Sequence, residues 1–378
     1  MRSRPDVAGP RRLLVIDSYV PRPAWGAGYP RAEALVAAAA SLGWAVSLLP
    51  LDPADDGAGA ALAPGVEVLV GHGAAGLAEA LRMRRGEWDA VLVSRPENMR
   101  VLRAADGPPW GLLGGARLIY DAEALFSGRT AQRAALLGTP LDPAVQAALL
   151  AEEIGLTAGV DAVIAVTPAE AAVFRAGQAA PVHVVSHPVH PRPGPPFAAR
   201  RGFLFVGRLN EQDAPNWDGL RWFIRDAWPR IRSALPDVFL NVVGGLHADT
   251  ADLQAPGVRL LGPLAELGPA YDSARVFVAP TRYAAGVPIK ALEAGAAGLP
   301  IVTTRLIAGQ LGWRPGTEAT AADDPADLAD LAVRLHQDPA GWAAMQRAAQ
   351  VRLAADHGSA RFRQALGEAL GWNSPLNP

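Results

Sequence analysis

The sequence predicts an α/β protein with two domains, each built on a parallel sheet that helices cover on both faces. The chain has 378 residues, and at roughly 150 residues per domain this length suits two domains. Short, continuous apolar runs alternate with longer alanine-rich helical runs, which is typical of parallel strands buried on both faces. Hydrophobic residues make up 50% and charged residues 19%, so the composition is globular and excludes a disordered chain.

The first alternation predicts an N-terminal Rossmann-like domain over residues 11–187. Its expected strands are Leu13–Asp17, Ala45–Leu49, Val66–Val70, Ala90–Ser94, Arg117–Tyr120, Ala162–Val166 and Val182–Val185. Its expected helices include Arg31–Leu42, Gly76–Arg84 and Ala131–Ile154. Parallel strands need such crossover helices, which supports a parallel sheet.

A proline-rich segment predicts a linker over residues 188–201, since proline stiffens the chain and cannot donate to a strand ladder. A second Rossmann-like domain is expected over 202–355. A helix over 356–372, with no strand after it, is expected to cross back and brace the first domain. The second domain's expected elements are strands Phe203–Val206, Phe239–Val243, Val258–Leu261, Val276–Ala279 and Ile301–Thr303, and helices Trp217–Leu235 and Ile289–Ala297.

Charge and composition exclude several classes of function. The net charge is −2 and the sequence has no cysteine, so we expect no nucleic-acid partner, no disulfide framework and no thiol nucleophile. No apolar run approaches the ~18 residues of a membrane span, and we expect a cytoplasmic protein. Of 35 basic residues, only Lys290 is lysine. Lysine is a compact point charge where arginine is a broad fork, so this single lysine suits a tight anionic site, and chance placement is the alternative.

The segment Gly71–Gly76 matches the G-x-G-x-x-G dinucleotide fingerprint, follows an apolar run and opens a helix. It follows the third expected strand, whereas the fingerprint normally follows the first. An NAD(P)-dependent oxidoreductase is therefore retained as an alternative function.

Candidate ligand-binding residues in the first domain follow its expected strands. A glycine-bearing loop leads from the first strand into a helix, where backbone amides can approach a sugar or an anion. Ordinary turns and helix caps are the alternative use of these positions. The candidates for an acceptor are Gly26, Gly28, Arg31, Arg95, Asp121 and Glu123.

In the second domain, glycines end three expected strands. Gly207 precedes Arg208, which is expected to project from the sheet edge, and Gly244 and Gly262 end the next two strands. Glycine at a strand exit lets backbone approach a ligand closely.

The densest group of candidates lies between residues 279 and 304. Arg282 and Gly286 lie in a loop after an expected strand, and a helix is expected to start near Val287. Lys290 and Glu293 are three residues apart and therefore share one face of that helix. Helix amides and a lysine suit a diphosphate, and a carboxylate suits the two hydroxyls of a ribose. The alternative is an inconsequential surface ion pair.

These residues resemble the nucleotide-sugar glycosyltransferases of the GT-B fold, in the family 4 group that shares the "Glycosyl transferases group 1" domain. The run from Glu293 through Val302 matches the second half of the family's donor-site signature. The resemblance implies two Rossmann-like domains with a cleft between them, and implies that Glu293 holds the nucleotide ribose.

The first half of that signature departs from the family. Ala285 stands where the partner carboxylate is expected, and the loop resembles a subgroup with Arg282, Gly286, Lys290 and Glu293 in register. Arg208 matches the family's diphosphate-binding arginine. The lysine expected a few residues later is missing, and Lys290 is expected to supply its charge.

The resemblance implies retaining transfer of a sugar from a nucleotide-diphosphate-sugar to an acceptor hydroxyl in glycan or polysaccharide biosynthesis. Arg208 and Lys290 would neutralise the leaving diphosphate, so no metal and no cofactor beyond the nucleotide-sugar co-substrate are expected. The acceptor stays open among a glycan, a lipid-linked and a small molecule, as does peripheral membrane association. A catalytically inactive GT-B-like partner protein is the other alternative.

Overall fold

The computed structural model describes residues 9–22, 28–57, 62–108 and 110–372. The chain divides into two compact units. The first unit comprises residues 1–127, 143–188 and 360–378, and the second comprises 128–142 and 189–359. Each unit contains one parallel sheet flanked by helices, which confirms the predicted α/β class.

The first unit contains a seven-stranded parallel sheet in the order β3-β2-β1-β4-β5-β6-β7. The strands are β1 Arg12–Asp17, β2 Ala45–Pro50, β3 Glu67–Val68, β4 Ala90–Ser94, β5 Arg117–Asp121, β6 Ala162–Ala165 and β7 Val182–Val184. Its helices are α1 Tyr29–Ser41, α2 Gly73–Met83, α3 Pro96–Ala105, α5 Pro143–Gly155 and α6 Pro168–Gly177. Helix α4, Phe126–Leu136, begins at the boundary and lies mainly in the second unit.

Alternate residues of β1 enter two separate cores, because successive strand side chains point to opposite faces. Leu14 and Ile16 pack with α2, α3 and α6, while Leu13 and Val15 pack with α1 and the C-terminal helix. That helix, α14, spans Ser359–Ala369 and contributes Phe362, Leu366 and Ala369 to the second of these cores. Both faces of the sheet are thereby buried, which explains the unbroken apolar run of β1.

The second unit contains a six-stranded parallel sheet in the order β10-β9-β8-β11-β12-β13. The strands are β8 Arg201–Val206, β9 Leu240–Val243, β10 Val258–Gly262, β11 Ala274–Ala279, β12 Ile301–Thr303 and β13 Thr320–Ala321. Its helices are α7 Pro215–Trp222, α8 Trp228–Ala234, α9 Gly268–Ser273, α10 Ile289–Ala296, α11 Arg305–Leu311, α12 Pro325–Gln337 and α13 Pro339–His357.

Two cores also cover this second sheet. Phe203 and Phe205 of β8 pack with α7, α8 and α12, and Leu204 packs with α9, α10 and α13. A π-helical turn, Phe223–Ala227, joins α7 to α8. The sequence pattern predicts a single helix there, and in the structure the backbone stays helical through this turn.

Several elements differ from the sequence prediction. The single helix expected over Ala131–Ile154 is two helices, α4 and α5, because Gly138 adopts φ +74° and Pro140 follows it. The helix expected over 356–372 is shorter: α13 ends at His357, Gly358 follows it, and α14 spans Ser359–Ala369. Strand β13 has only two residues, too few to give an apolar pattern.

The proline-rich segment packs on the second unit. The Val189 amide donates to the carbonyl of His357 at 2.9 Å, and the Arg192 amide donates to that of Ala296 at 2.6 Å. The buried guanidinium of Arg200 donates to the carbonyls of Pro195, Tyr271, Ala274 and Ala297. The segment is therefore fixed to its unit by backbone hydrogen bonds. Among the helices that the structure describes, none is long and apolar enough to cross a membrane.

Candidate functional site

Strand order locates a ligand-binding position in each unit. In open parallel sheets, ligands bind beyond the carboxyl ends of the strands where the order reverses. That point lies between β1 and β4 in the first unit and between β8 and β11 in the second. The residues that follow these four strands are therefore the structural candidates, and they include most of those predicted from the sequence.

A row of three glycines crosses the carboxyl ends of β8, β9 and β10. The Gly207 amide donates to the carbonyl of Val243 at 3.0 Å, and the Gly244 amide donates to that of Gly262 at 2.9 Å. Gly244 adopts φ +140°, and a Cβ there would overlap the carbonyl oxygen of Gly207. Gly262 adopts φ +72° and has open space beside it. Glycine is thus required at position 244 by backbone packing.

Lys290, the single lysine, contacts Glu293, the carboxylate expected on the same helix face. The Lys290 ammonium lies 3.0 Å from Oε1 and 2.9 Å from Oε2 of Glu293, one turn along α10. Their side chains are 32% and 26% exposed, so both are reachable by a ligand. The Tyr271 hydroxyl donates to Oε2 of Glu293 at 2.9 Å. The helix begins at Ile289, after Pro288, as in the expected helix Ile289–Ala297 and two residues after the start expected near Val287.

Arg282 does not stand free in the loop before α10. Its Nε and Nη2 donate to the two carboxylate oxygens of Asp218 at 2.9 and 2.5 Å, and its guanidinium lies 5.5 Å from the ring centroid of Trp222. The adjacent Tyr283 hydroxyl donates to the carbonyl of Asp213 at 2.5 Å. These contacts fix the loop that carries Gly286, which is buried with φ +73°. Arg282 therefore positions this loop on α7.

Arg208 follows β8 and is exposed. Its guanidinium makes no hydrogen bond or ion pair with the residues that the structure describes, while its carbonyl accepts from the Asn216 side chain at 3.2 Å. β8 pairs directly with β11, so Arg208 and the loop before α10 leave neighbouring strands. An uncommitted guanidinium at this edge is available to an anionic ligand.

In the first unit, two of the predicted acceptor residues lie in the interior. Arg31 and Asp121 are 1% and 0% exposed and form a pair of hydrogen bonds of 2.7 and 2.9 Å. Arg31 also donates to the carbonyls of Val185 and Ser186. This corrects the expectation that they face a ligand: the guanidinium and carboxylate satisfy each other and join α1 to β5.

Arg95, Glu123 and Gly28 are brought together at the carboxyl ends of β4 and β5. The Nε of Arg95 donates to Oε2 of Glu123 at 3.1 Å. A Cβ on Gly28 would lie 2.9 Å from Oε1 of that carboxylate, so α1 begins directly against the pair. Both paired residues have positive φ, +78° for Arg95 and +55° for Glu123. Backbone strain of this kind in residues other than glycine is concentrated at functional sites.

Asp17 at the end of β1 adds a second carboxylate to this group, and the sequence analysis did not include it among the candidates. Its Oδ1 lies 3.5 Å from Arg95 and accepts from the Ser18 amide at 2.6 Å. Burial raises the pKa of Asp17 to about 7, with Arg95 opposing the rise and Glu123 adding to it. Burial also raises the pKa of Glu123, and Arg95 opposes that rise. Its position at a strand end was the signal that could have identified Asp17.

Two further predictions concern the remaining glycines. Gly26 lies outside the described residues. Gly71–Gly76 follows β3, the edge strand of its sheet, and not a strand at the point where the order reverses. A Cβ on Gly73 would lie 2.8 Å from the Cβ of Pro53, so this glycine serves packing. The structure does not favour a dinucleotide site there.

Comparisons with known proteins show which family model and which solved structures the chain resembles. Residues 200–338 match the model of the family described as "Glycosyl transferases group 1". No curated protein matches the chain at a significant level. Among solved structures, Alr3699/HepE from Anabaena in complex with UDP and glucose is 16% identical, with a TM-score of 0.68 over 96% of this chain and 99% of that one.

Two other solved structures show the same fold. The α,α-trehalose 6-phosphate synthase of Burkholderia multivorans is 14% identical, with a TM-score of 0.66 over 96% of each chain. A glycosyltransferase from Rickettsia africae ESF-5 is 11% identical, with a TM-score of 0.67 over 97% of this chain and 100% of that one. The fold of the chain is therefore that of the GT-B glycosyltransferases. The residues that match the family model, 200–338, all lie in the second unit.

Proposed function

We propose that this protein transfers a sugar from a nucleoside diphosphate sugar to an acceptor hydroxyl, with retention at the anomeric carbon, in the synthesis of a glycan. The observation that carries the proposal is the contact of Lys290 with Glu293 on α10. The pair lies on the helix that follows β11, at the point where the sheet order reverses, and Arg208 follows the neighbouring strand β8. Two partly exposed cations and one carboxylate suit a diphosphate joined to a ribose.

In this proposal, the carboxylate of Glu293 accepts hydrogen bonds from the ribose hydroxyls. Arg208, Lys290 and the free amides at the start of α10 neutralise the diphosphate. Gly207, Gly244 and Gly262 let the nucleotide approach the backbone at the sheet edge. Because these groups supply the positive charge, no metal ion is required for departure of the diphosphate.

The reaction has a simple atom balance. The bond between the anomeric carbon and the phosphate oxygen breaks, and a bond to the acceptor oxygen forms on the same face of the sugar. The acceptor proton passes to a phosphate oxygen of the leaving nucleoside diphosphate. Cationic groups that stabilise this diphosphate more strongly as its charge develops lower the barrier.

We infer that Arg95 and Glu123 contact the acceptor. Both are partly exposed at the strand ends of the first unit and held by strained backbone. Glu123 can accept from a hydroxyl group and Arg95 can donate to one. The buried pair of Arg31 and Asp121 takes no part. Glycan, lipid-linked and small-molecule acceptors all offer hydroxyl groups, and we expect the reaction to take place in the cytoplasm, with or without peripheral membrane association.

A thermal-shift screen with UDP-, GDP-, ADP- and dTDP-sugars tests the donor class, because a ligand that binds only the folded state raises the melting temperature. UDP-glucose is the first choice, since the Anabaena HepE structures contain UDP or UDP-glucose. A shift that Glu293→Ala abolishes supports the proposal. No shift with any donor would overturn it, and a shift by NADH or NADPH alone would favour the oxidoreductase.

Turnover separates an active enzyme from an inactive partner protein, the alternative that Ala285 keeps open. Donor consumption, with an acceptor panel or by slow hydrolysis alone, is expected and would exclude the inactive alternative. Tight donor binding with no consumption under any condition would support that alternative.

A further inference from the structure

The two carboxylate oxygens of Glu293 accept different numbers of hydrogen bonds. Oε2 accepts from both Tyr271 and Lys290 at 2.9 Å, while Oε1 accepts from Lys290 alone at 3.0 Å. A carboxylate oxygen accepts about two hydrogen bonds. A ribose hydroxyl can therefore donate to Oε1 in the present arrangement, and a second one can donate there only when Lys290 moves away.

Tyr271 is held more firmly than Lys290. Its side chain is buried, and its ring packs against Phe277 with centroids 6.1 Å apart. Burial, and next the negative charge of Glu293, raise the pKa of Tyr271 well above its ordinary value. The phenol therefore stays protonated and remains a donor to the carboxylate.

The buried guanidinium of Arg200 binds the backbone of the two helices that carry Tyr271 and Glu293. Arg200 donates through Nη1 to the carbonyl of Tyr271 at 2.6 Å and through Nη2 to that of Ala297 at 3.0 Å. Tyr271 lies in α9, and Ala297 directly follows α10, the helix that carries Glu293. The hydrogen bond from Tyr271 to Glu293 thus joins two helices that Arg200 already holds together.

We propose that Tyr271 is a positioning residue for the nucleotide ribose. Its hydroxyl holds Oε2 of Glu293 and keeps Oε1 open to the ribose when Lys290 leaves the carboxylate for the diphosphate. Without the hydroxyl, Glu293 would lose the donor that stays in place when Lys290 leaves, and its carboxylate would be free to rotate about its own side-chain bonds. This inference rests on the proposed donor site and adds the residue that orients its carboxylate.

The test is Tyr271→Phe, which removes the hydroxyl and keeps the ring that packs on Phe277. Calorimetric titration would use UDP, GDP and ADP, each beside its 2′,3′-dideoxy counterpart. Wild-type protein is expected to bind one of the three more tightly than its dideoxy form. In Tyr271→Phe, affinity for that ribonucleotide should fall by about tenfold, the effect of a lost hydrogen bond to a charged group, while affinity for the dideoxy form stays within about twofold.

With the matching nucleotide sugar, the same variant should raise KM by about tenfold and leave kcat within about twofold. A residue with only a structural role would lower affinity for both nucleotides equally. Because each protein is judged by the ratio of two ligands, a general loosening of the fold cancels in the comparison.

Tyr283→Phe is the matched control. It removes another buried tyrosine hydroxyl of the same unit, one that donates to the carbonyl of Asp213 and not to Glu293. Any loss in this variant should be equal for the ribonucleotide and its dideoxy form.

The outcomes separate the two proposals. If wild-type protein prefers the ribonucleotide and Tyr271→Phe keeps that preference unchanged, the role of Tyr271 is overturned and the donor site stands. If wild-type protein binds a nucleotide and its dideoxy counterpart equally well, Glu293 does not bind the ribose, and the proposed role of Tyr271 is overturned as well. If it binds none of the three nucleotides and no donor in the thermal-shift screen, dTDP-sugars included, the proposed function itself fails and this inference fails with it.

Discussion

Arg31 and Asp121, ninety positions apart in the chain, form a buried pair in the interior of the first unit. Two parallel hydrogen bonds join the guanidinium to the carboxylate, and the remaining guanidinium hydrogens reach the carbonyls of Val185 and Ser186. Burial of two charges costs free energy, and such a pair is retained only when the geometry satisfies both partners. The pair links α1, β5 and the segment after β7.

Removal of either member of this pair is expected to destabilise the protein strongly. Arg31→Met or Asp121→Leu alone should lower the free energy of unfolding by about 3–5 kcal/mol, because each leaves a buried charge without its partner. The double variant should lose less than the sum of the two. Urea unfolding measures all three. Single variants that stay as stable as wild type while acceptor KM rises would show instead that these residues face a ligand.

Lys290→Arg is expected to impair the enzyme although the charge is retained. A guanidinium would bind both oxygens of Glu293 as a planar fork. It would then block Oε1 and resist transfer to the diphosphate. We expect kcat/KM for the donor to fall by about 10²-fold, the scale for loss of one group that stabilises developing charge.

Arg230→Lys provides the control for that measurement, because it makes the reverse exchange in an exposed ion pair between Arg230 on α8 and Asp330 on α12. Its kcat/KM should stay within about twofold of wild type, since exposed pairs contribute little. Equal activity of Lys290→Arg and wild type would show that position 290 needs only a positive charge.

Asp17 is expected to make stability depend on pH. Its pKa is raised from 3.8 to about 7 in the folded protein, so the folded state binds more protons than the unfolded state between these values. The free energy of unfolding therefore loses up to about 1.4 kcal/mol per pH unit as pH rises from about 4 to about 7, and this contribution is constant above 7.

His336 acts in the opposite direction, because burial lowers its pKa from 6.5 to about 4. Its contribution increases stability as pH rises from about 4 to about 6.5. The difference between wild type and Asp17→Asn isolates the carboxyl group. Urea unfolding at pH 5, 6, 7 and 8 should show wild type losing stability relative to Asp17→Asn up to about pH 7. A constant difference would contradict the raised pKa.

Two glycine positions provide a test of backbone packing. Gly244→Ala is expected to cost about 3 kcal/mol or more, because it adds strain and a collision with the carbonyl of Gly207. Gly262→Ala adds only left-handed strain beside open space and should cost about 1 kcal/mol. Urea unfolding of both variants gives the comparison. Equal losses would mean that the contact between Gly244 and Gly207 is not as close as described.

The fold was largely predictable because apolar runs mark strands buried on both faces. Ala90–Ser94 and Ile301–Thr303 were predicted with the observed bounds, since polar or glycine-rich segments border each run. The break between α4 and α5 was missed because alanine-rich sequence continues on both sides of it. β13 was missed because its two residues, Thr320 and Ala321, have no periodicity.

The candidate site was predictable only where its partners are close in sequence. Lys290 and Glu293 share a helix face by their spacing alone. Tyr271 contacts Glu293 from another helix, and Asp218 contacts Arg282 across 64 positions. Such contacts depend on how the elements pack, which a pattern in one sequence does not reveal.

The division of the chain between the units has a consequence for biosynthesis. The first sheet is complete by Val184, yet one of its two cores includes Phe362 and Leu366 of α14. A nascent chain on the ribosome therefore exposes part of that apolar surface while the whole of residues 189–359 is being made. All residues of the second unit, 128–142 and 189–359, are synthesised before α14 is complete, so the second unit can fold first. The first unit, whose synthesis starts earlier, completes its core last.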